Sequence, residues 1–260
     1  VADLGRDAVR LTPSLTAEYC AFDTRKPPFD DVRVRQALSL AIDRDALSAS
    51  VAGAGLPLYS FVPEGIAGYT PADADDAAMP QAAREDKARA LLQAAGYGDG
   101  GTPLAIELRY NAGDNHKKVA TAIAAAWKAL GVAVTLTPAD TKAHYAALTA
   151  AAGFDAARVG WTAAYADPQA FLAPYASAST PFNYTGYAGA DYDALLARSS
   201  TEADAATRLA TLHDAEAVLA RDQPAAPLLV SAAPWLVAKQ VTDWQDNTAN
   251  DHRSRYLGIR

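Results

Sequence analysis

The sequence predicts an α/β fold in which a mixed, mostly parallel sheet is covered by helices. The main observation is that strand and helix patterns alternate between residues 104 and 161, in the order βαβαβ. A second is the helical spacing of apolar residues over 114–130, which ends at Gly131. Because parallel strands are joined by right-handed crossovers, this order predicts neighbouring parallel strands with helices packed on the sheet.

The N-terminal part of the sequence predicts one strand and three helices. Residues 1–15 carry no regular pattern, and Pro27-Pro28 predicts a turn because consecutive prolines continue neither a strand nor a helix. Residues 54–80 lack periodicity and are rich in proline, glycine and aspartate, which predicts a long surface excursion. The predicted elements are a strand over 17–22, a helix capped by Asp30 or Asp31 with Val34, Leu38 and Ile42 on its apolar face, and helices over 43–51 and 81–95.

The central alternation places two loops where a ligand is expected. Ligands of largely parallel sheets bind beyond the carboxyl ends of the strands. The loops over 111–116 and 162–168 follow the first and third strands, so they are the candidate binding loops. The predicted elements are strands over 104–110, 132–136 and 154–161, and helices over 114–130 and 141–152.

The C-terminal part predicts three more helices and a strand, followed by a mixed segment. An aromatic cluster lies at its start, and it has two readings: a small core beneath a long loop, or the wall of a ligand cleft. The predicted elements are helices over 167–175, 192–198 and 202–222, a strand over 226–231 and the mixed segment 233–260. The aromatic residues are Trp161, Tyr165, Phe171, Tyr175, Phe182, Tyr184 and Tyr187.

Composition and motifs argue against several function classes. The net charge of −7 disfavours nucleic acid or an anionic membrane as the partner. Cys20 is the single cysteine, so the chain forms no internal disulfide, and its four histidines lie in no metal-binding motif. The sequence contains neither a GxSxG nucleophile elbow nor a glycine-rich phosphate loop. We therefore predict a binding module rather than an enzyme, with neither a metal nor a cofactor.

Several segments in a fixed order carry a family resemblance. Residues 22–47 read FDTRKPPFDDVRVRQALSLAIDRDAL, followed by the pattern NxxDxHKK at 111–118 and ARxGW at 157–161. Together they resemble the family 5 extracellular solute-binding proteins, which serve ABC importers of peptides, nickel and related solutes. The last two patterns are most similar to the oligopeptide-binding branch. The resemblance implies a type II periplasmic-binding-protein fold, in which two lobes enclose the ligand.

The resemblance covers the C-terminal portion of such a protein, so it implies that this chain is the C-terminal lobe. Residues 1–18 would be a segment crossing from the N-terminal lobe, and residues 19–232 the ligand-binding lobe itself. Residues 233–260 would be a tail that packs on the N-terminal lobe in the intact protein. The chain would then supply one wall of the cleft.

The resemblance also implies which residues bind the ligand. In the oligopeptide branch, the segment matching 158–162 is an extended edge that pairs with the peptide main chain like an added strand. Arg158 and His116 match positions that meet the peptide carboxylate, and Asn111 matches another pocket position. The implied ligand-binding residues are Asn111, His116, Arg158, Gly160, Trp161, Thr162, Ala164 and Asp167.

Two positions depart from the pattern of that branch. Ala164 stands where the family has an aspartate that binds the ammonium group of the ligand, and Lys142 stands where the branch tends to have a tryptophan. Either Asp167 replaces the missing carboxylate, or the ligand is not held by a free amino terminus. An aspartate before Pro168 is more often a helix cap. The ammonium anchor is therefore the weakest part of the implied site.

The resemblance implies a periplasmic or otherwise extracytoplasmic, monomeric receptor that binds oligopeptides between its lobes and delivers them to the membrane permease of an ABC importer. The alternative is that the same scaffold binds a non-peptide ligand, such as a metal chelate, an opine-like compound or a cell-wall fragment, because Ala164 lacks the carboxylate. A hydrolase would rest on the α/β layout alone, and a fold does not imply a function.

Overall fold

The computed structural model describes residues 8–51, 55–72, 77–98, 100–150 and 154–260. They form a six-stranded sheet in the order β2-β6-β1-β5-β3-β4, with helices on both faces, and a separate two-stranded hairpin, β7-β8. The strands are β1 (Val9–Phe22), β2 (Gly55–Pro57), β3 (Ala105–Asn111), β4 (Ala133–Ala139), β5 (Ala156–Thr162), β6 (Ala225–Leu236), β7 (Val241–Thr242) and β8 (Gly258–Ile259). The helices are α1 (Val32–Leu40), α2 (Arg44–Ser50), α3 (Gln81–Ala94), α4 (Asp114–Lys128), α5 (Thr141–Thr149), α6 (Gln169–Leu172), α7 (Ala190–Thr201) and α8 (Ala205–Asp222).

The large sheet is mixed, as predicted. Strands β3, β4 and β5 pair in parallel, whereas the pairings β1–β5, β1–β6 and β2–β6 are antiparallel. Four of the six strands, β3 to β6, therefore run in one direction, and β1 and β2 run against them. The predicted α/β class and the βαβαβ unit are confirmed.

The predicted irregular opening is wrong in the part of it that the structure describes. Strand β1 begins at Val9, because β6 pairs with it from Val9 opposite Leu236 to Ala21 opposite Ala225. Pro13 is tolerated because the pairing register shifts between Pro13 and Ala17. The short predicted strand over 226–231 is likewise only part of β6. Long-range pairing extended both strands beyond their local sequence patterns.

Aspartate side chains begin four of the helices. Asp31 accepts a hydrogen bond from the Arg33 N–H at the start of α1, which decides between the two predicted caps. Asp43 caps α2, Asp140 caps α5 and Asp204 caps α8 in the same way. Such caps satisfy backbone N–H groups that have no partner within the helix. The predicted start of α8 at residue 202 is three residues too early, because Asp204 is its cap.

The sheet separates two hydrophobic clusters. Along β1, Cys20 and Phe22 face the first cluster, whereas Tyr19 and Ala21 face the second, as the two-residue period of a strand requires. The first cluster includes Trp127, whose indole N–H donates to the carbonyl of Leu38 at 2.9 Å. Cys20 is buried, and burial raises the pKa of its thiol. It is therefore a core residue rather than a nucleophile.

The segment over 55–72 is not the surface excursion that the sequence predicts. Phe61, Val62 and Tyr69 are buried in the second cluster. The carboxylate of Glu216 on α8 fixes the segment, since it accepts from the Val62 N–H at 2.7 Å, the Tyr69 hydroxyl at 2.6 Å and the Ala72 N–H at 2.9 Å. The segment is therefore held both by apolar packing in the second cluster and by hydrogen bonds to one buried carboxylate.

The C-terminal tail leaves the sheet at Leu236 and contains the β7–β8 hairpin. Its Trp244 and His252 rings stack with centroids 3.8 Å apart, and both contact the ring of Trp235. Leu236 and Ile259 remain exposed. The division into residues 1–18, 19–232 and 233–260 stays a prediction.

Candidate ligand-binding site

The candidate site lies where β5 separates from β3. Strand β5 pairs with β1 from Ala156 to Thr162, but its pairing with β3 covers Ala156 and Ala157 alone. The second half of β5 therefore has one side turned away from β1 that β3 does not cover. Over this half β5 is extended and lacks a β3 partner, although it is an internal strand of the sheet, and its role as a ligand-pairing edge stays a prediction. The carboxyl ends of β3 and β5 lie here, and ligands of such sheets bind beyond the carboxyl ends of the strands.

Arg158 is the central charge of the site, and it is buried. Its Nη2 lies 2.7 Å from Oε2 of Glu18 on β1, and its Nε donates to the same oxygen at 3.3 Å. Its Nη1 donates to Oδ1 of Asn111 at 3.1 Å. The guanidinium charge is therefore compensated within the chain, which a buried charge requires.

His116 joins this cluster from the first turn of α4. Its Nδ1 lies 3.1 Å from the carbonyl oxygen of Asn111. Burial lowers the pKa of His116, and the nearby positive charge of Arg158 lowers it further. The imidazole is therefore neutral at pH 7 and acts as a hydrogen-bonding group rather than a cation. The structure thus brings together Asn111, His116 and Arg158, three of the residues that the sequence singles out.

Helix α5 covers the outer edge of β5 with two side chains. His144 Nε2 donates to the carbonyl of Arg158 at 2.9 Å. The Tyr145 hydroxyl accepts from the Gly160 N–H at 3.3 Å and lies 3.4 Å from the Gly160 carbonyl. These distances exceed the usual hydrogen-bond length of about 2.9 Å. The main-chain N–H and carbonyl of Gly160 therefore make only weak hydrogen bonds to Tyr145.

Protonation of His144 is expected to couple stability to pH. The side chain is fully buried, its Nδ1 has no hydrogen-bond partner, and burial lowers its pKa to about 4. Below its unfolded pKa of 6.5 the unfolded state takes up a proton that the folded state does not. We therefore expect a loss of about 2–3 kcal/mol between pH 6.5 and pH 4.

Chemical denaturation of the wild type and of His144→Gln at several pH values tests this coupling. The glutamine retains an N–H donor for the carbonyl of Arg158 but does not titrate in this range. Its stability is expected to fall less steeply over the same pH interval. Parallel curves for the two proteins would contradict the assignment.

Trp161 and Thr162 complete β5. The indole N–H of Trp161 donates to the carbonyl of Ala170 at 2.8 Å, and its ring meets the edge of Phe182. The Thr162 hydroxyl lies 2.9 Å from that of Thr16, its partner residue on β1. Trp161 therefore ties the end of β5 to α6, and Thr162 ties it to β1.

Ala164 and Asp167 lie in the loop after β5. Ala164 is exposed and carries no charge. Asp167 accepts two hydrogen bonds from Arg208 on α8, at 2.8 and 2.9 Å, and a third from the Gln169 N–H. Burial raises the pKa of Asp167, but the hydrogen bonds from Arg208 and Gln169 outweigh it and lower the pKa overall. The geometry favours the helix-capping reading of Asp167, because its carboxylate accepts from the Gln169 N–H and is already paired with the guanidinium of Arg208.

The aromatic cluster divides between its two readings. Four members, Phe171, Tyr175, Tyr184 and Tyr187, are buried in the second hydrophobic cluster. Tyr165 and Phe182 are exposed, by 56% and 47% respectively, and Trp161 is half-buried between the two groups. Most of the cluster is therefore core, and the exposed rings line the loop beside the end of β5.

Sequence reasoning missed Glu18, His144 and Tyr145. Glu18 is a lone charge within the apolar run 17–22, and that pattern is the signal that could have identified it. His144 and Tyr145 lie on a helix whose sequence does not show which strand it covers. Lys142, on the same helix, is exposed.

A cavity of about 340 Å³ lies elsewhere, between α1, α3 and α8. Two of its lining residues, Arg44 and Arg84, place their guanidinium groups over the ring of Tyr59. Arg44 also donates to the carbonyls of Leu58 and Pro227 at 3.0 and 2.8 Å, so it ties chain segments together. This cavity is remote from the β3 and β5 ends, and we assign its arginines a structural role.

Comparison with known proteins decides the family. The model of the bacterial extracellular solute-binding proteins, family 5, middle part, matches residues 3–183. The chain belongs to this family. Among the residues that the structure describes, no helix is long and apolar enough to cross a membrane, and no group of histidine, cysteine and carboxylate side chains is arranged to hold a metal ion.

Two curated relatives from Escherichia coli are similar along most of the chain. A probable deoxycholate-binding periplasmic protein, YgiS, is 37% identical over 85% of this chain and 41% of its own length. The periplasmic murein peptide-binding protein MppA is 36% identical over 92% of this chain and 45% of its own length. This family member therefore spans less than half the length of these relatives.

Solved structures of family members have the same fold. The unliganded open form of MppA superposes with a TM-score of 0.91 at 34% identity, covering 96% of this chain and 49% of that one. Haemophilus influenzae OppA in complex with the peptide RPPGFSPFR gives a TM-score of 0.82 at 30% identity, covering 99% of this chain and 52% of that one. The predicted type II periplasmic-binding-protein lobe is confirmed.

Proposed function

We propose that this chain is the C-terminal lobe of a two-lobed periplasmic receptor that binds oligopeptides and delivers them to the permease of an ABC importer. The observation that carries the proposal is the outer edge of β5, which β3 no longer pairs with beyond Ala157. There the Gly160 N–H and carbonyl oxygen lie 3.3 and 3.4 Å from the Tyr145 hydroxyl. A ligand main chain that adds as a strand would make shorter bonds there. Relatives named for murein peptide and oligopeptide binding support this choice.

The other parts of the proposal follow from the same family membership. The intact receptor would place its second lobe against the exposed ends of β1 and β6 and against the tail, where Val9, Leu11, Trp235 and Leu236 are exposed. A periplasmic location follows from the relatives that carry that word in their names. The receptor would act as a monomer and catalyse no reaction.

Methylation of single peptide amides tests main-chain pairing. In an added strand, successive N–H groups point alternately toward and away from β5. N-methylation of penta-alanine at the amides that face β5 is therefore expected to weaken binding to the two-lobed protein about tenfold or more, and at the alternate amides by less than about threefold. Calorimetric titration of the four singly methylated peptides measures the pattern, and equal losses at all four amides would contradict strand addition.

A second candidate function is binding of a non-peptide ligand on the same scaffold. The relative named for deoxycholate binding and the uncharged Ala164 favour it. Mass spectrometry of the ligand that co-purifies with the intact protein separates the two candidates. A steroid or other non-peptide mass, together with no thermal stabilisation by a peptide pool, would replace the peptide proposal.

A further inference from the structure

We infer that the site selects peptide main chain without free terminal charges, because the ionic groups at both ends of the outer β5 edge are already paired within the chain. This inference rests on the proposed function and names the ligand class. The preferred ligands are end-blocked peptides, or longer peptides whose chain continues past both ends of the edge. Two ion pairs and one uncharged position carry the argument.

The first ion pair, Arg158 with Glu18, lies at the start of the edge. Both Nε and Nη2 of the guanidinium contact Oε2 of Glu18, and Nη1 is taken by Asn111. The two side chains are largely enclosed, with exposures of 5% for Arg158 and 15% for Glu18. A ligand carboxylate here would bring a second negative charge beside Glu18, where the low dielectric strengthens repulsion. His116 offers no compensating charge because burial lowers its pKa.

The second ion pair, Asp167 with Arg208, lies in the loop at the other end. Arg208 uses two nitrogens on the Asp167 carboxylate, and Gln169 N–H donates to the same group. A ligand ammonium would have to displace this bidentate partner. Ala164, closer to the end of β5, supplies no carboxylate. Neither end of the edge therefore offers an unpaired opposite charge that would offset the cost of removing a terminal charge from water.

Between the two ion pairs the edge offers neutral groups. Gly160 presents its main-chain N–H and carbonyl toward Tyr145, and the carbonyl of Arg158 accepts from neutral His144. Such groups recognise an amide backbone equally well in any peptide. The charge arrangement thus agrees with main-chain pairing and adds a restriction on the peptide ends.

Four penta-alanine ligands test this inference in the two-lobed wild-type protein. They carry free ends, an acetylated amino end, an amidated carboxyl end, or both blocks, and calorimetry measures each dissociation constant. The doubly blocked peptide is expected to bind at least about tenfold more tightly than the free peptide. Equal binding, or tighter binding of the free peptide, would overturn the inference while the proposed function stands. Failure of all four to bind would remove the proposed function and the inference together.

Two variants test whether the charges of the site cause the preference for blocked peptide ends. Glu18→Gln removes the negative charge that pairs with Arg158 and is expected to raise affinity for the peptide with a free carboxylate about tenfold relative to its amide. Ala164→Asp places a carboxylate at an exposed position and is expected to raise affinity for the peptide with a free amino end by a similar factor. Glu64→Gln, which removes an exposed carboxylate outside the site, is the matched control and should leave the preference unchanged.

The variants remain informative if Glu18→Gln folds poorly. The wild-type ranking of the four peptides needs no substitution, and Ala164→Asp alters an exposed residue only. In the isolated chain, an NMR titration of His116 gives a further readout, because Glu18 raises the pKa of this imidazole. The His116 pKa is expected to fall in Glu18→Gln. An unchanged His116 pKa together with unchanged peptide preference would overturn the inference.

Discussion

Replacing Arg158 by glutamine is expected to lower the free energy of unfolding by about 3–5 kcal/mol at pH 7, because Glu18 then stays largely buried without its cation. The amide of glutamine is shorter than the guanidinium and carries no charge, so it cannot replace the contacts at 2.7 and 3.3 Å. Asn111 would also lose its donor. Urea unfolding of this chain, followed by circular dichroism, measures the loss.

The double variant Arg158→Gln/Glu18→Gln is the control for this prediction. It removes both charges, so the cost of an unpaired buried carboxylate disappears, and it is expected to recover more than half of the lost stability. The conservative substitution Glu64→Gln, at an exposed side chain, should cost less than about 0.5 kcal/mol. Equal destabilisation in the single and double variants would show that the ion pair is not the origin of the effect.

Replacing Glu216 by glutamine is expected to cost about 2–4 kcal/mol. The carboxylate accepts from three donors, and an amide of the same shape would turn its own N–H group toward one of them. The segment over 55–72 should loosen first, since these hydrogen bonds fix it to α8. Thermal unfolding gives the loss in stability, and amide hydrogen exchange of Val62 and Ala72 locates it.

Glu202→Gln, at the end of α7, is a matched substitution on a half-buried side chain that lies outside the 55–72 segment. It should leave the exchange rates of Val62 and Ala72 unchanged. A Glu216→Gln protein with wild-type stability, or with faster exchange spread evenly over the chain, would argue against this anchoring role.

Local patterns were sufficient for the βαβαβ unit because each element there carries its own signal. The apolar face of α4, with Val119, Ile123 and Trp127, repeats at helical spacing, and β3 alternates along its length. The first half of β1 has no such signal. It is a strand because β6, more than two hundred residues away in the sequence, pairs with it. Contacts of this kind are not encoded in the local pattern.

The candidate site was predictable in part for the same reason. Asn111, His116 and Arg158 follow or end strands of the βαβαβ unit, so their proximity follows from the topology. The charge partners in the site come from elsewhere in the chain: Glu18 on β1 pairs with Arg158, and Arg208 on α8 pairs with Asp167. The sequence therefore indicated where the candidate site lies, but not that the main charges of the site are already paired within the chain.

Amide hydrogen exchange along β5, in the two-lobed protein with and without a bound peptide, tests the central claim most directly. Strand addition predicts that penta-alanine slows exchange of the Gly160 N–H, which now meets only the distant Tyr145 hydroxyl in the described part of the site. The N–H groups of Val159 and Trp161 face β1 and should change little. Peptide binding that leaves the Gly160 exchange rate unchanged would contradict the claim that this chain forms a main-chain pairing wall of the cleft.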